Sequence, residues 1–169
     1  MKDDLPANAN SAPIDSARLQ ALWGALRRIT QALRSHPRLE TLLPLVTREV
    51  RTLLDADGTS VILHDPKTDE FFFPAATFSD GDTSRRFARI RFPASRGVAG
   101  QVFRSGRAMI VNEVSSDPHF LQAIDDQSAF TTRNMLDVPL WAGDRCIGVL
   151  CAVNKRGGDF GAQDLALLD

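Results

Sequence analysis

The sequence predicts an α+β domain built around one antiparallel sheet, and three observations lead to that fold class. Apolar residues recur at helical spacing as far as Leu54, and from Gly58 the period changes from 3.6 to 2. Short turn segments then separate runs of alternating residues, which is typical of β-hairpins. A last helical pattern begins near Ala162. This order predicts six strands, with helices before, between and after them.

Local patterns give the bounds of these elements. The predicted helices after the N-terminal one are Leu39 to Leu54, Gly97 to Gly106, Asp117 to Asp125 and one that begins near Ala162. The predicted strands are Thr59 to His64, Glu70 to Phe78, Phe87 to Phe92, Met109 to Val111, Met135 to Ala142 and Arg145 to Asn154. Residues 79–84, SDGDTS, are predicted to form a loop.

The N-terminal part of the chain divides into two segments before the main domain. Residues 1–13 are rich in Ala, Asn, Pro and Asp, which predicts a disordered tail, and residues 14–36 predict a helix. The helix carries apolar residues in a 3-4-3-4 spacing, namely Leu19, Leu22, Leu26, Ile29 and Leu33. This stripe fits a coiled-coil seam between two copies or a face packed on the chain's own body. Residues 37–169 predict the main domain, which we expect to be cut within its C-terminal helix.

Composition excludes several classes of function. The chain has 169 residues, 43% of them hydrophobic, and a net charge of −1. It can bury one core, and no bulk charge attracts nucleic acid or an anionic membrane. The longest apolar run, Ile147 to Val153, is far shorter than the roughly 20 residues needed to span a bilayer, and the N-terminus has no signal-like apolar segment. We expect a cytoplasmic protein without nucleic-acid or membrane partners.

The residues that commonly carry catalysis or bind metals do not form a known motif. Cys146 and Cys151 lie five positions apart on one predicted strand, so their side chains point to opposite faces. His36, His64 and His119 share no spacing typical of metal ligands. Gly-x-Ser-x-Gly, His-Glu-x-x-His and Walker-type motifs are absent from the sequence. We therefore predict no catalytic residue and no metal site.

The segment from Asn154 to Asp164, NKRGGDFGAQD, has the composition of a phosphate-binding loop. However, Lys155 precedes the glycines, whereas the lysine of a P-loop follows them. A strand-to-helix hinge is the simpler interpretation, with Gly161 as the N-cap and Asp164 at the third helical position. Such a turn would also bring Asp164 back to Lys155.

Two other segments carry groups that suit a ligand. Residues 97–100, GVAG, open a helix after a strand, so their backbone N–H groups could receive an anion, although the glycines could instead serve close packing. Residues 125–134, DDQSAFTTRN, are dense in carboxylates and hydroxyls that suit a polar ligand. Because such residues also cap their own loops, the sequence by itself favours a structural role for this segment.

Six short motifs follow one another along the second half of the chain, namely Arg91-Phe-Pro-(x3)-Gly97-Val-Ala-Gly-Gln-Val, Val111-Asn-Glu-Val, Asp117-Pro-His-Phe120, Thr132-Arg-Asn-Met-Leu-(x)-Val-Pro-Leu140, Ile147-Gly-Val-Leu and Asn154-Lys. In this order they resemble a GAF domain, and the resemblance covers roughly residues 38–169. Within that family the chain is most like the cyclic-nucleotide-binding domains of phosphodiesterases and bacterial adenylyl cyclases, which carry an Asn-Lys…Phe-(x3)-Asp-Glu signature. Asn154, Lys155, Phe160 and Asp164 match that signature, and Leu165 replaces the final Glu.

The resemblance implies a six-stranded antiparallel sheet, with terminal helices that dimerise on one face and short helices covering a ligand pocket on the other. It also implies the ligand contacts. The matching positions are Ser60 and Phe78 at the base, Val98 and Ala99 at the phosphate, and Asp125, Ser128 and Thr132 at the ribose-phosphate and base. Ser79 replaces an Asp that recognises guanine in cyclic GMP binders, and Leu121 replaces an aromatic residue that closes the pocket. The choice between cAMP, cGMP and another ligand therefore stays open.

The implied function is that of a non-enzymatic regulatory domain. It would bind a small-molecule ligand, with cAMP or cGMP as the candidates, and act as a homodimer on a covalently attached output domain. The alternative is a dimerisation or interaction module whose pocket is empty or holds a different ligand. One GAF lineage reduces free methionine sulfoxide, but that chemistry needs several exposed cysteines, and the two strand cysteines argue against it.

Overall fold

A computed structural model describes residues 16–35 and 38–168. The expected tail (residues 1–13) and the first and last residues of the predicted N-terminal helix lie outside the described residues. The strands are β1 (Ala56–Asp65), β2 (Glu70–Phe78), β3 (Arg91–Pro93), β4 (Met109–Val111), β5 (Met135–Ala142) and β6 (Arg145–Lys155). They form one antiparallel sheet in the order β3-β2-β1-β6-β5-β4. The predicted α+β class and six-stranded sheet are confirmed.

Helices cover both faces of the sheet. They are α1 (Ser16–Ser35), α2 (Leu39–Leu54), α3 (Gly81–Phe87), α4 (Gly97–Ser105), α5 (Gln122–Ser128) and α6 (Ala162–Leu165), and a 3₁₀ helix spans Val114–Ser116. Residues of α1, α2 and α6 pack with one face of the sheet in one apolar cluster. Residues of α3, α4 and α5 pack with the other face in a second, aromatic cluster. The terminal helices and the short helices are thus on opposite faces, as the sequence predicted.

Close contact between the two central strands requires a glycine. Gly148 on β6 pairs with Leu63 on β1, and a Cβ atom at Gly148 would lie 2.1 Å from the carbonyl oxygen of Ile62. A side chain at this position would therefore push β6 away from β1. Since β6 pairs with β5 on its other edge, the same glycine fixes the position of β5 relative to β1.

The predicted third strand, Phe87 to Phe92, and the predicted loop over residues 79–84 are wrong. The chain instead forms α3, and the strand that follows it is limited to Arg91–Pro93. The carboxylate of Asp80 accepts hydrogen bonds from the backbone N–H groups of Asp82 and Thr83, both at 3.0 Å. This side chain therefore works as a helix N-cap, a role that Asp shares with turn formation.

The predicted helix from Asp117 to Asp125 is also displaced. A 3₁₀ helix ends at Ser116, and α5 begins only at Gln122. The Asp117 carboxylate accepts a hydrogen bond from the backbone N–H of His119 at 2.8 Å. This is the bond of a local turn, so the residue expected to begin the helix instead keeps the chain out of it.

Helix α1 divides its apolar residues between two directions. Leu22 packs against the apolar cluster of the sheet, Ala25 is buried and Ile29 is partly buried, and Arg28 donates from Nε to Glu49 on α2 at 2.8 Å. The remaining large residues of the helix are exposed, namely Leu19, Trp23, Leu26 and Leu33. The first set matches a face packed on the chain's own body, and the second set keeps the heptad spacing of a coiled-coil seam.

The segment after β6 is a hinge between strand and helix. Gly157 and Gly158 adopt positive φ angles of 72° and 150°, and Gly161 is the N-cap of α6. The Asp164 carboxylate accepts from the backbone N–H of Gly161 at 2.9 Å and forms an ion pair with Lys155. The predicted cap and the predicted contact between Lys155 and Asp164 are confirmed. None of the helices within the described ranges combines the length and apolar character that crossing a bilayer requires.

Replacing Asp164 with alanine should destabilise the fold strongly. Asp164 is almost fully buried and Lys155 is mostly buried, so the variant leaves a cation without its partner and removes the cap of α6. We expect urea denaturation at pH 7 to show a loss of about 2–4 kcal/mol in the free energy of unfolding. Asp82→Ala, which breaks an exposed pair with Arg85, is the control and should change that energy by less than about 0.5 kcal/mol. Equal effects of the two substitutions would contradict this account.

Candidate ligand-binding site

A cavity of about 70 Å³ lies between the aromatic face of the sheet and the three short helices. Most of its wall is aliphatic or aromatic, and a few polar groups interrupt it. These polar groups are the side chains of Ser60, Asp125, Thr132, Asp137 and Cys151. Among the described residues that line the cavity, none is Lys, Arg or His, so its side-chain charge is acidic.

Three of these polar side chains form a row across the floor of the cavity. Ser60 on β1 is the register partner of Cys151 on β6, and Cys151 is the register partner of Asp137 on β5. Neighbouring strands are about 4.8 Å apart, so adjacent members of the row are in side-chain contact range. The row therefore presents a hydroxyl, a thiol and a carboxyl group side by side to whatever enters the cavity.

Asp137 is the most unusual group in the structure. Its exposed fraction is 0%, and neither carboxylate oxygen accepts from an N–H or O–H group among the described residues. Burial raises the pKa of Asp137 to about 7, and the neighbouring Cys151 thiol, a weak donor, opposes that shift. A buried carboxyl group without a partner is a strong acceptor directed at the cavity that it lines.

The thiol of Cys151 has the opposite character to a catalytic cysteine. Burial, followed by the charge of Asp137, raises the pKa of Cys151 well above its ordinary value. The sulfur therefore stays protonated at neutral pH, whereas the nucleophilic form of cysteine is the thiolate. This environment suits a weak hydrogen-bond donor and not a redox or acyl-transfer nucleophile.

Residues 117–132, which we call the lid, close the cavity opposite the sheet. Within the lid, the Asp125 carboxylate accepts from the backbone N–H of Thr132 at 2.6 Å and from its hydroxyl at 2.7 Å. Burial raises the pKa of Asp125, and both bonds from Thr132 oppose that shift. This pair of bonds fixes the two ends of the segment from Asp125 to Thr132 against each other, with both side chains lining the cavity.

An aromatic wall is built around Phe78. Its ring stacks on that of Phe87 with centroids 4.5 Å apart and meets Phe130 of the lid edge-on at 4.9 Å. A Cβ atom at Gly58 would lie 2.2 Å from the Phe78 ring, so the glycine makes room for the ring above β1. This wall offers a flat apolar surface of the kind on which heterocyclic rings pack.

The amino-terminal end of α4 also borders the cavity. Gly97, Val98 and Ala99 line it, and the N-cap residue Arg96 makes no side-chain cap bond within the described chain. The first N–H groups of a helix lack intrahelical partners and favour anions. Gly100 has the packing role that the sequence left open, because a Cβ atom there would lie 2.9 Å from the carbonyl oxygen of Ala94.

Most, but not all, of the residues singled out from the sequence are brought to this cavity. Those that line it are Ser60, Phe78, Val98, Ala99, Leu121, Asp125 and Thr132. Ser79 is exposed outside it, where its hydroxyl accepts from Arg51 at 2.8 Å and from Arg156 at 3.1 Å. Ser128 is buried within the lid, does not line the cavity and donates to the Asp125 carbonyl oxygen at 3.2 Å.

The signature residues lie outside the cavity and connect the elements around it. The Asn154 amide donates to the Thr131 carbonyl oxygen at 2.8 Å and accepts from the Arg133 N–H at 2.7 Å, which ties the end of the lid to β6. The backbone of Phe160 exchanges two hydrogen bonds of 3.0 Å with the side chain of Asn112. Lys155 and Asp164 complete the group with their ion pair.

Sequence reasoning missed Asp137 and the cavity position of Cys151. Asp137 lies in the strand segment MLDVPL, between Leu136 and Val138, which are both buried in the opposite cluster. A carboxylate at the inward position of such a strand was the available signal, because charged side chains are rarely buried without a partner. Within residues 16–35 and 38–168, no three His, Cys, Asp or Glu side chains are grouped so as to hold a metal ion.

The fold and the cavity define a class of domain in which a sheet covered by helices on both faces holds a small pocket under a short-helix lid. The sequence matches the GAF domain family over residues 38–169, and the chain belongs to that family of regulatory domains. Two curated relatives are phosphodiesterases. A probable 3',5'-cyclic phosphodiesterase of Caenorhabditis elegans is 29% identical over 132 residues, which is 75% of this chain and 18% of that protein. The alpha' subunit of the mouse (Mus musculus) cone cGMP-specific phosphodiesterase is 38% identical over 74 residues, which is 43% of this chain and 9% of that protein.

The solved structures that resemble this chain share its fold at low sequence identity. The GAF domain of a phosphoenolpyruvate-protein phosphotransferase from Coxiella burnetii has a TM-score of 0.75 at 20% identity, covering 88% of this chain and 86% of its own. A free methionine-R-sulfoxide reductase from Neisseria meningitidis has a TM-score of 0.71 at 22% identity, covering 95% and 88%. The chain spans less than a fifth of the length of the curated phosphodiesterases that it matches.

The stability of an Asp137→Asn variant should reveal the raised pKa directly. Because the folded-state pKa of Asp137 (about 7) lies above its unfolded value, ionisation favours the unfolded chain as pH rises from about 4 to about 7. The free energy of unfolding of the variant, relative to that of the wild type, should therefore rise across that pH range by up to roughly 4 kcal/mol. Above that range the difference should stay constant.

Urea denaturation of both proteins at a series of pH values measures this difference. Asp144→Asn, at an exposed turn position, is the control and should give a difference that does not change with pH. A flat difference for Asp137→Asn as well would show that the Asp137 carboxyl group ionises normally in the folded protein.

Proposed function

We propose that this GAF domain is a regulatory sensor whose pocket binds a cyclic nucleotide. The observation that carries the proposal is that one pocket combines the uncapped amino-terminal end of α4 with the aromatic wall around Phe78. A cyclic nucleotide has the two matching parts, an anionic phosphate and a flat heterocyclic base. The similarity to two cyclic nucleotide phosphodiesterases also supports this ligand class.

The pocket suggests one orientation for such a ligand. The phosphate would meet the backbone N–H groups of Val98 and Ala99, and the base would pack on Phe78. The Asp125 and Thr132 side chains then face the ribose, whose hydroxyl groups donate and accept hydrogen bonds. The polar side chains of the floor, Ser60, Cys151 and Asp137, would then face the edge of the base.

The lid has to move for a nucleotide to enter. The cavity of about 70 Å³ is well below the roughly 300 Å³ at which pockets for drug-sized ligands begin. Opening the lid would break the hydrogen bond from Arg86 to the Ser128 carbonyl oxygen (3.2 Å) and the bond between Gln101 and His119 (3.0 Å), and it would separate the rings of Phe130 and Phe78. Ligand binding therefore selects a different lid arrangement, which is the population shift that a sensor requires.

Calorimetry on protein stripped of ligand by unfolding and refolding tests the proposal. We expect cAMP, cGMP or both to bind, and Thr132→Val to weaken binding at least tenfold, because it removes the hydroxyl that donates to Asp125. The corresponding nucleosides, which lack the phosphate, are the ligand control and should bind more weakly. If neither cyclic nucleotide produces heat, the pocket serves another ligand or the domain is an interaction module.

We also propose that two copies of the domain pair through an exposed stripe of α1 formed by Leu19, Trp23, Leu26 and Leu33, so that the lid can act on an attached output domain. This stripe differs from the predicted one, because Leu22 and Ile29 are partly buried and Trp23 takes a place in it. The stripe keeps heptad spacing, and its central residue, Trp23, is 66% exposed. Large apolar residues repeated along one exposed helix face favour a second copy of the same helix as their cover.

Light scattering on a Trp23→Glu variant tests the pairing. A charge at the centre of the seam should convert a dimer to a monomer without changing the far-UV circular dichroism, since the side chain does not enter the core. Trp141→Glu is the matched control, because that tryptophan is 52% exposed on β5 and lies outside the stripe. A Trp23→Glu variant that stays dimeric would place the interface elsewhere.

A further inference from the structure

The polar row on the floor of the pocket has a definite donor and acceptor order. The Cys151 thiol is a weak donor directed at its register neighbour Asp137, whose ionised carboxylate offers two acceptor oxygens. The Asp137 carboxylate is fully buried, has no N–H or O–H partner among the described residues and lines the same cavity as Phe78. The floor thus presents two strong acceptors to the edge of a ring packed on the aromatic wall.

We propose that Asp137 is the specificity-determining residue of this pocket and selects a guanine-type edge, with two adjacent N–H donors. This inference rests on the proposed binding of a cyclic nucleotide and names cyclic GMP as the preferred one. Guanine carries two adjacent donors (N1–H and the N2 amino group), which complement the two oxygens of the Asp137 carboxylate. Adenine offers one amino donor beside the N1 lone pair, and that lone pair would face a carboxylate oxygen.

The position at which cyclic GMP binders carry a guanine-recognising Asp does not serve this purpose here. Ser79 occupies that position and is held outside the pocket by Arg51 and Arg156. The adjacent Asp80 carboxylate accepts the two N–H groups that begin α3 and the Thr83 hydroxyl at 2.8 Å, so its acceptors are already engaged. Asp137 is therefore the carboxylate of the pocket that is available to recognise a base.

Asp125, the other carboxylate that lines the pocket, does not compete for this role. Both of its oxygens accept hydrogen bonds from Thr132, one from the backbone and one from the hydroxyl. A ligand that approached Asp125 would share acceptors already in use, whereas a ligand that meets Asp137 satisfies two buried oxygens at once. Leaving such oxygens unsatisfied is unfavourable, so a ligand lacking the two donors is rejected more strongly than a matching ligand is attracted.

Three ligands differing only in the base edge test this inference by calorimetry on the whole chain at about pH 8, where most Asp137 carboxyl groups are ionised and offer two acceptors. Cyclic IMP keeps the O6 and N1–H groups of cyclic GMP but lacks the N2 amino group, whereas cyclic AMP has an amino donor at C6, an acceptor at N1 and no amino group at C2. We expect the wild-type protein to bind cyclic GMP at least tenfold more tightly than either of the other two, because a hydrogen bond to a charged group is lost. This comparison requires no variant and so does not depend on the folding of one.

Two variants then locate the selectivity. The Asn side chain of Asp137→Asn has one acceptor and one donor, so this variant should bind cyclic GMP and cyclic IMP with affinities within about threefold of each other. The ratio of its affinities for cyclic GMP and cyclic AMP should be at least tenfold smaller than that of the wild type. Ser79→Ala is the control at the other candidate position and should leave the order of affinities unchanged.

Each outcome decides between the two proposals. If none of the three nucleotides binds, the proposed function and this inference both fail. If they bind but the wild-type protein holds cyclic AMP or cyclic IMP as tightly as cyclic GMP, only the role of Asp137 is overturned. The same holds if cyclic GMP is preferred and Asp137→Asn keeps the full preference, because another group would then recognise the base.

Discussion

The sheet is covered by helices on both faces, and this constraint determines the character of the site. Most side chains in the middle of β1, β5 and β6 are buried on one face of the sheet or the other, so a polar side chain there has little access to water. On the face of the terminal helices the polar groups have partners, as with Thr59, whose hydroxyl donates to the Thr47 carbonyl oxygen at 2.5 Å. On the opposite face Asp137 has none among the described residues. A cavity bordered by unsatisfied acceptors is the direct consequence.

The strand-to-helix segment after β6 connects this cavity to the terminal helices. Asn154 binds the end of the lid through both of its amide atoms, and the next residue, Lys155, pairs with Asp164 on α6. Asp164 in turn lies 3.6 Å from the guanidinium of Arg18 on α1. A continuous series of polar contacts therefore runs from the lid to the helix with the exposed apolar stripe. Lid movement can bias that helix through contacts that already exist, which gives the proposed sensor a physical route.

The elements that the sequence predicted correctly are those with long apolar periods. Helix α2 and strand β2 have the expected bounds, since their side chains alternate between a core and a surface over many residues. Errors fell on α3 and α5, each of seven residues, where a single Asp decides between a cap and a turn. Asp80 begins a helix and Asp117 closes a turn, and the local sequence of the two is similar. Tertiary contacts such as that between Arg86 and Ser128 settle these short segments, and they cannot be derived from local pattern.

The site was predictable to the extent that the family pattern maps onto positions in the fold. Phe78, Asp125 and Thr132 line the cavity because strand register and a capped lid place them there. Ser79, one residue beyond Phe78, points the other way, as alternation along an extended chain requires. Asp137 was not predicted, because a family resemblance indicates only the ligand-contacting positions already known in that family. Its detection needed the strand pairing, which shows that the residue faces the cavity and not the terminal helices.

The cost of Asp137 to the fold bears on its function. An aspartate that holds no backbone group and makes no ion pair within the described chain lowers stability at neutral pH without supporting any element around it. An apolar residue or an amide of the same size would fit the strand and remove that burden. Groups that weaken a fold are concentrated where binding or catalysis requires them, because the ligand supplies the missing partner. A ligand with two N–H donors would relieve the desolvation of both oxygens, so the same group that destabilises the free domain would stabilise the bound one. Because Asp137 would lower the stability of the free domain and raise that of the bound domain, ligand binding would be coupled to the stability of β5 and β6. Through β6 it would also be coupled to the hinge that follows this strand.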